Sequence, residues 1–131
     1  MFETTIVPRV SETDGAGHIN NTTVPVWLEA GRRGVFAILT PDLSFARWRA
    51  TVVSTTIDYL DQLYLAEEAV VRVWVERVGT RSFTLDEEIW QGGRHCVRAR
   101  TVYVYFDPDV GRALPVPDDV CVALEAHRRE A

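Results

Sequence analysis

Residues 69–106 read AVVRVWVERVGTRSFTLDEEIWQGGRHCVRARTVYVYF, and their pattern predicts the central part of a sheet. Apolar side chains alternate with polar or charged ones through most of it, which is the pattern of half-buried strands. Gly79-Thr80 and Gly92-Gly93 divide it into three strands with tight turns between them. Because connections this short join only antiparallel neighbours, the stretch predicts an antiparallel sheet rather than βαβ units.

Two further segments toward the N-terminus are β-prone. Residues 51–60 are rich in Val and Thr and predict a fourth long strand, placed first in an antiparallel meander. Residues 2–10 predict a shorter strand, at the sheet edge or bulged, because Pro8 interrupts the apolar residues there and cannot donate to a sheet ladder. The sheet is therefore expected to have about five strands.

The segment between the first two strands has the period of a helix. Apolar residues recur at three- and four-residue spacing from about Thr22 to Thr40-Pro41, at Val24, Trp27, Leu28, Gly31, Val35 and Leu39. Asn20 or Asn21 is placed to cap this helix, and Pro25 is tolerated only in its first turn. A short terminal helix is expected over 120–129. One long apolar-striped helix must bury its stripe against the sheet, so the fold class is α+β.

Length and composition describe one small globular domain, residues 1–131. Hydrophobic residues make up 47% of the chain and charged residues 25%, as in ordinary folded domains. The net charge of −5 disfavours nonspecific nucleic-acid binding. Cys96 and Cys121 have no zinc or disulfide-scaffold spacing. No stretch approaches the roughly 20 apolar residues of a membrane span, and the N-terminus lacks a signal-peptide pattern, so we expect a cytoplasmic protein.

The segment 11–21 contains the polar groups of a candidate active site. Asp14 offers a carboxylate, Gly15 and Gly17 permit tight turns, and His18 supplies a hydrogen-bonding ring. The segment leads directly into the helix start, where free N–H groups and the positive end of the helix dipole favour a developing oxyanion. A carboxylate beside such donors fits a hydrolase. Asp and Asn before a helix also serve simply as caps and turn formers, and both interpretations remain open at this point.

Two sequence motifs, taken together, resemble those of a known family. The sequence Asp14-x-x-x-His18-Ile19-Asn20-Asn21, followed by Trp27-Leu28-Glu29-Ala30-Gly31-Arg32, resembles the acyl-CoA thioesterases of the hotdog superfamily, in the 4-hydroxybenzoyl-CoA thioesterase-like branch. The resemblance covers nearly the whole chain, since the length and the order of elements agree as well. It implies a hotdog fold, in which the antiparallel sheet wraps around one long central helix.

The resemblance also implies roles for residues of the Asp14 segment. Asp14 falls on the catalytic carboxylate, which acts as nucleophile or general base on the thioester. Asn21 falls where a backbone N–H contributes to the oxyanion hole. Gly17 lets the loop approach the substrate, and His18 and Asn20 line the site. His18 could act as a general acid or could order the loop, and both roles stay open.

Other implied site residues lie farther along the chain. Glu29 falls on a helix carboxylate that orients water in related branches, although it could equally pair with Arg32 or Arg33. In the family the site lies at a subunit interface of a homodimer or homotetramer. The turn that helps hold the pantetheine arm or nucleotide of the partner's substrate corresponds here to Gly79, Thr80, Arg81 and Ser82. Arg81 could also be only a solvated hairpin charge.

The resemblance leaves the substrate partly open. Val24 stands where the family often has an aromatic residue, and Pro25 after it is unusual. The length and shape of the acyl group that binds beside them therefore stay open. No cofactor and no metal is expected. One alternative is a thioesterase acting on an acyl carrier protein, which Arg47, Arg49 and Arg81 would meet. Another is a non-catalytic module that binds acyl-CoA, although Asp14 is a poor feature for apolar binding alone.

Overall fold

The computed structural model describes residues 1–130 and confirms an α+β hotdog fold. The strands lie in the order β1-β3-β4-β5-β2, each antiparallel to its neighbours, and β6 pairs with the end of β5. The six strands are β1 (Phe2–Ile6), β2 (Ala50–Tyr59), β3 (Ala69–Val78), β4 (Ser82–Gln91), β5 (Arg94–Asp107) and β6 (Arg112–Ala113). The three helices are α1 (Val24–Gly31), α2 (Arg33–Leu39) and α3 (Asp118–Glu125).

The predicted meander is right for β3, β4 and β5 and wrong for β2. Tight turns join these three consecutive strands. In the turn between β3 and β4, the Gly79 N–H donates to the Ser82 carbonyl at 2.7 Å. The connection 60–68 is long enough to cross the end of the sheet, so β2 pairs with β5 at the far edge instead of with β3. The place beside β3 is taken by β1, which ends at Ile6, ahead of Pro8.

The predicted long helix is divided into α1 and α2 at Arg32. A 3₁₀ turn over Asn21–Thr23 precedes α1, and Pro25 lies in the first turn as expected. At Arg32 (φ −90°, ψ 2°) the backbone N–H bonds to the Glu29 carbonyl three residues back, at 3.0 Å, which tightens the helix locally. The Arg32 side chain at this break is buried in the core.

Arg32 meets Glu87 of β4 between the helix and the sheet. The Nε of Arg32 donates to Glu87 Oε2 at 2.6 Å, and the exposed fractions of the two residues are only 5% and 0%. Nη2 donates to Glu87 Oε1 at 3.2 Å and to the Thr101 hydroxyl at 3.0 Å, and Nη1 donates to the Tyr103 hydroxyl at 2.9 Å. This buried ion pair is completed by neutral hydrogen-bond partners, the condition under which charge is tolerated in a core.

The inner face of the sheet packs closely on the central helix. Val71, Val73 and Leu85 are fully buried there, with Leu28 of α1 opposite them. A Cβ built on Gly31 would lie 2.4 Å from Cγ1 of Val71, so only glycine permits this approach of helix to strand. None of the helices within residues 1–130 has the length and apolar character that a bilayer crossing requires.

Candidate active site

The Asp14 loop is a small hairpin between Thr13 and Ile19, which form a bridge. The Asp14 N–H donates to the His18 carbonyl at 2.9 Å. Gly15 and Gly17 have φ of 86° and 87°, a region that other residues rarely adopt, so both glycines shape the loop. The Asp14 Oδ1 accepts the Ala16 N–H at 2.8 Å, which closes a local turn. The Asp14 side chain is thereby oriented and remains accessible.

Asp14 lies at a cleft of about 560 Å³, here called the Asp14 cleft. One wall is the helix start from Asn20 to Val24, and the opposite wall belongs to residues 60–68, here called the wall segment. The lining residues are Asp14, Ile19, Asn20, Asn21, Val24, Tyr59, Leu60, Asp61, Gln62, Leu63 and Val97. Asp14, Asn20 and Asn21 of the sequence motif and the apolar Val24 therefore line one space.

Asn21, at the helix start, lines this cleft. The Asn20 Oδ1 accepts the Thr22 N–H at 3.0 Å, so the Asn20 side chain is a cap. The Asn21 backbone N–H makes no hydrogen bond within residues 1–130, and the Asn21 carbonyl accepts from the Tyr59 hydroxyl at 3.1 Å. An unpaired N–H at a helix start beside a carboxylate can stabilise a developing negative charge.

His18 lies beside Asp14 but is not among the side chains that line the cleft. Its Nδ1 is 3.7 Å from Asp14 Oδ2, beyond hydrogen-bond distance. The His18 ring packs edge-on against Tyr64 of the wall segment, with ring centroids 5.2 Å apart. In this position His18 joins the loop to the wall segment.

Glu12 is a buried carboxylate under the Asp14 loop that the sequence interpretation missed. Its exposed fraction is 8%, and it accepts hydrogen bonds from Trp27 Nε1 at 2.8 Å and from the Arg9 N–H at 2.7 Å. Its carbonyl accepts the Asn20 N–H at 2.8 Å. Burial alone would raise the pKa of Glu12, but the bonds from Trp27 and Arg9 together lower it below its ordinary value. Glu12 and Trp27 are fifteen positions apart in the sequence, so no local spacing pattern predicts their contact.

Glu29 is not brought to the Asp14 cleft within one chain. It lines a second depression of about 960 Å³, here called the Glu29 groove, between the central helix and the start of β2. The groove is mostly apolar and is lined by Val26, Glu29, Ala30, Arg33, Phe36, Leu43, Phe45, Trp48, Ala50, Val52 and Tyr103. Glu29 makes no ion pair with Arg32, whose guanidinium turns inward to Glu87.

The turn Gly79–Ser82 also lies away from Asp14 within one chain. The Arg81 carbonyl accepts the Tyr105 N–H at 2.9 Å, whereas Val97 of the same strand lines the Asp14 cleft. Eight residues of β5 separate these points, about 26 Å at roughly 3.3 Å per residue. Residues 1–130 also contain no group of three or more His, Cys, Asp or Glu side chains arranged to hold a metal ion.

Comparisons with known proteins agree on one family. A family model described as the thioesterase-like superfamily matches residues 8–124. The YsmA protein of Bacillus subtilis is 32% identical over 114 residues, which cover 85% of this chain and 76% of YsmA. The structure of a predicted thioesterase from Bacillus stearothermophilus is 52% identical, with a TM-score of 0.96, over 99% of this chain and 98% of that one.

A more distant structure shares the fold. A thioesterase of Thermus thermophilus, crystallised with coenzyme A and zinc, is 23% identical, with a TM-score of 0.85. The match covers 94% of this chain and 96% of that one.

Proposed function

This chain belongs to the thioesterase-like superfamily, and we propose that it hydrolyses an acyl-CoA thioester, with Asp14 as the catalytic carboxylate. The observation that carries the proposal is the juxtaposition of Asp14 with the free Asn21 N–H at one cleft. The products are a carboxylic acid and CoA. The reaction needs water and no cofactor. Acyl-CoA is an intracellular substrate, which agrees with the expected cytoplasmic location.

Two routes use the same geometry. Asp14 can attack the thioester carbonyl directly, expelling the CoA thiolate and leaving an acyl-aspartyl anhydride that water then cleaves. Alternatively, Asp14 can take a proton from a water molecule that attacks the carbonyl. In both routes negative charge develops on the carbonyl oxygen, and the Asn21 N–H together with the helix dipole would stabilise it. Gly17 allows the loop to lie close to the reacting carbonyl.

A second copy of the chain would complete the site. The outer edge of β2 pairs with no strand within residues 1–130, and Val52 and Val53 on it are largely exposed. Long uncovered edges of this kind template pairing with another strand. Tyr59 at one end of β2 lines the Asp14 cleft, and Ala50 at the other end lines the Glu29 groove.

A twofold axis through the middle of β2 would therefore place each Asp14 cleft beside the partner's Glu29 groove. This arrangement is the proposed homodimer, which could itself pair into a tetramer. The apolar groove would then receive the acyl group, with Val24 lining its entrance and the partner's Glu29 near the reacting water.

The charge distribution favours coenzyme A as the carrier. The chain has no lysine, and ten of its fourteen arginines lie within 4.0 Å of a carboxylate. Within residues 1–130, the four without such a partner are Arg33, Arg77, Arg81 and Arg112. All four belong to the end of the molecule that carries the Glu29 groove and the Gly79–Ser82 turn, here called the arginine end. In the proposed dimer this end lies toward the partner's Asp14 cleft, where the phosphates of CoA would extend.

The competing carrier is an acyl carrier protein. Of the three arginines expected to meet such an acidic partner, Arg47 pairs with Asp42 and Arg49 lies 4.0 Å from Asp107, so only Arg81 is without a carboxylate. Rates on acyl-CoA and on the matching acyl-carrier substrate separate the two. A higher specificity constant for the carrier protein would identify it as the substrate.

The test of the function is the release of free CoA thiol from a panel of acyl-CoAs. We expect turnover by the wild type, a loss of at least about a thousandfold in Asp14→Ala, and no change in Asp119→Ala, a matched carboxylate on α3. Comparable turnover in the wild type and Asp14→Ala would contradict the assignment of Asp14. Tight acyl-CoA binding without turnover by the wild type would instead identify a non-catalytic binding module.

A further inference from the structure

The amide of Gln91 is buried at the end of β4 and bonds only to the backbone of the wall segment. The exposed fraction of Gln91 is 1%. Its Nε2 donates to the Tyr64 carbonyl at 2.8 Å and to the Glu67 carbonyl at 2.9 Å, and its Oε1 accepts the Tyr64 N–H at 2.7 Å. Both N–H groups and the carbonyl are used, so only a primary amide of this length satisfies all three backbone groups.

The wall segment in turn holds the Asp14 loop. The Leu63 carbonyl accepts the Ile19 N–H at 2.8 Å, and His18 forms a bridge with Tyr64. The His18 carbonyl accepts the Asp14 N–H. A path of hydrogen bonds between neighbouring residues thus runs from the Gln91 side chain through Tyr64 and Leu63 to the loop of the residue proposed to be catalytic.

Arg94 fixes the same segment from the surface. Its Nη1 donates to the Gln62 carbonyl at 2.9 Å and lies 3.0 Å from Asp61 Oδ2. Its guanidinium also lies 5.3 Å from the centroid of the Tyr64 ring. These three contacts hold the outer part of the segment, whereas Gln91 holds its interior.

We propose that Gln91 is a positioning residue for the Asp14 site, acting through the wall segment on the placement of Asp14 and on the shape of the cleft. A core amide with a merely structural role would bond to elements remote from the site. Here every partner belongs to the segment that forms one wall of the cleft and is bonded to the Asp14 loop. The catalytic part of this inference rests on the proposed function, while the placement of the loop does not.

Gln91→Met removes the three hydrogen bonds and keeps the side-chain length. We expect kcat on the best acyl-CoA to fall about 10- to 100-fold per folded molecule, with a much smaller change in KM, because a small misplacement of a reacting group has effects of this size. We also expect faster amide hydrogen exchange in residues 13–21. The activity of Gln91→Glu relative to the wild type at the same pH should be lowest at neutral pH, where its carboxylate would face two carbonyls, and should recover in part at acid pH.

Val120→Ala is the control for stability, because Val120 is buried on α3, outside the site. It should lower the melting temperature and leave kcat and the exchange of residues 13–21 unchanged. If Gln91→Met does not fold, Arg94→Met loosens the same segment from the surface and should show the same changes, reduced in size.

The proposal would be overturned if the wild type is active and Gln91→Met leaves both kcat and the exchange of residues 13–21 unchanged. If Gln91→Met does not fold, the same result in Arg94→Met would overturn it. An inactive wild type with faster exchange in Gln91→Met would contradict the thioesterase function and would still support the placement of the Asp14 loop by Gln91.

Discussion

The indole Nε1 of Trp27 donates a 2.8 Å hydrogen bond to Oε2 of Glu12, and this contact joins the central helix to the segment that carries Asp14. Both groups are buried, and Glu12 also receives the Arg9 N–H. The loop is therefore attached to the helix on one side through Glu12 and to the wall segment on the other through Ile19.

Glu12→Gln should destabilise the fold in a pH-dependent way. The pKa of Glu12 is lowered from 4.5 on folding, so the charged form stabilises the protein fully above that value and this contribution is lost as pH falls through the lowered pKa. At pH 7 the free energy of unfolding should drop by about 1–3 kcal/mol, because the donors of Trp27 and Arg9 would face an amide. The difference from the wild type should shrink toward pH 3, as measured by urea unfolding.

Glu68→Gln is the control for this measurement, because Glu68 is exposed and belongs to no ion pair within residues 1–130. A deficit in Glu12→Gln that is equal at pH 7 and pH 3 would show that the charge of Glu12 has no role.

Breaking the Arg32–Glu87 pair from one side should be costly. Glu87→Gln leaves the buried guanidinium without its counter-ion, and losing one partner of such a pair costs about 3–5 kcal/mol. The double variant Arg32→Met/Glu87→Leu removes both charges and should recover a large part of that loss in urea unfolding. If the loss of unfolding free energy in the double variant equals the sum of the losses in Arg32→Met and Glu87→Leu alone, the pairing is contradicted.

The local features of this fold follow from sequence pattern. Period-two alternation and glycine turns predict β3, β4 and β5, and the three- and four-residue spacing predicts the helix. Asp14 and Asn21 are seven positions apart and share one loop and helix start, so their position at one cleft could be inferred as well.

The contacts between distant residues could not be inferred in this way. Arg32 at the helix break pairs with Glu87, fifty-five positions away, and β2 joins β5 because the wall segment crosses the end of the sheet. Glu29 reaches the Asp14 cleft only in the proposed dimer, which no pattern within one chain specifies.

Gly17→Ala should disturb the site more than the fold. At φ 87° an alanine is strained by about 1–3 kcal/mol, although no heavy atom lies within 4 Å of the added Cβ. We expect kcat to fall roughly 10-fold or more as the loop moves away from the substrate. Gly111→Ala has φ 77° and equally open space, so it should cost similar stability and leave kcat unchanged. Equal kcat in Gly17→Ala and Gly111→Ala would show that Gly17 has no role in the active site.

Val53→Asp should dissociate the proposed dimer. Val53 is 57% exposed on the edge of β2, so the folded single chain loses little, whereas a charged side chain on an edge strand opposes its pairing with another strand. Sedimentation should show monomers, and activity should fall because the partner's groove is lost. Val122→Asp, at a 72% exposed valine on α3, is the matched control and should stay dimeric and active. A dimeric Val53→Asp would place the interface elsewhere.

Neutralising the arginine end should weaken the recognition of CoA and leave the chemical step intact. Arg77, Arg81 and Arg112 have no carboxylate partner within residues 1–130, so their charges are available to phosphates, and each Gln substitution should raise KM for acyl-CoA about threefold to tenfold at low salt. The effect should diminish as ionic strength rises, because these side chains are exposed. The matching acyl-pantetheine lacks the nucleotide, and its KM should not change.

Arg100→Gln, which removes a guanidinium paired with Glu76, is the control and should leave both KM values unchanged. Equal losses on acyl-CoA and acyl-pantetheine would mean that the arginines shape the fold rather than bind phosphate. If the arginine variants keep their KM for acyl-CoA and acyl-pantetheine but have a raised KM for an acyl carrier protein, the arginine end binds that partner instead. This outcome is possible because an acidic protein and a nucleotide phosphate are recognised by the same unpaired charges.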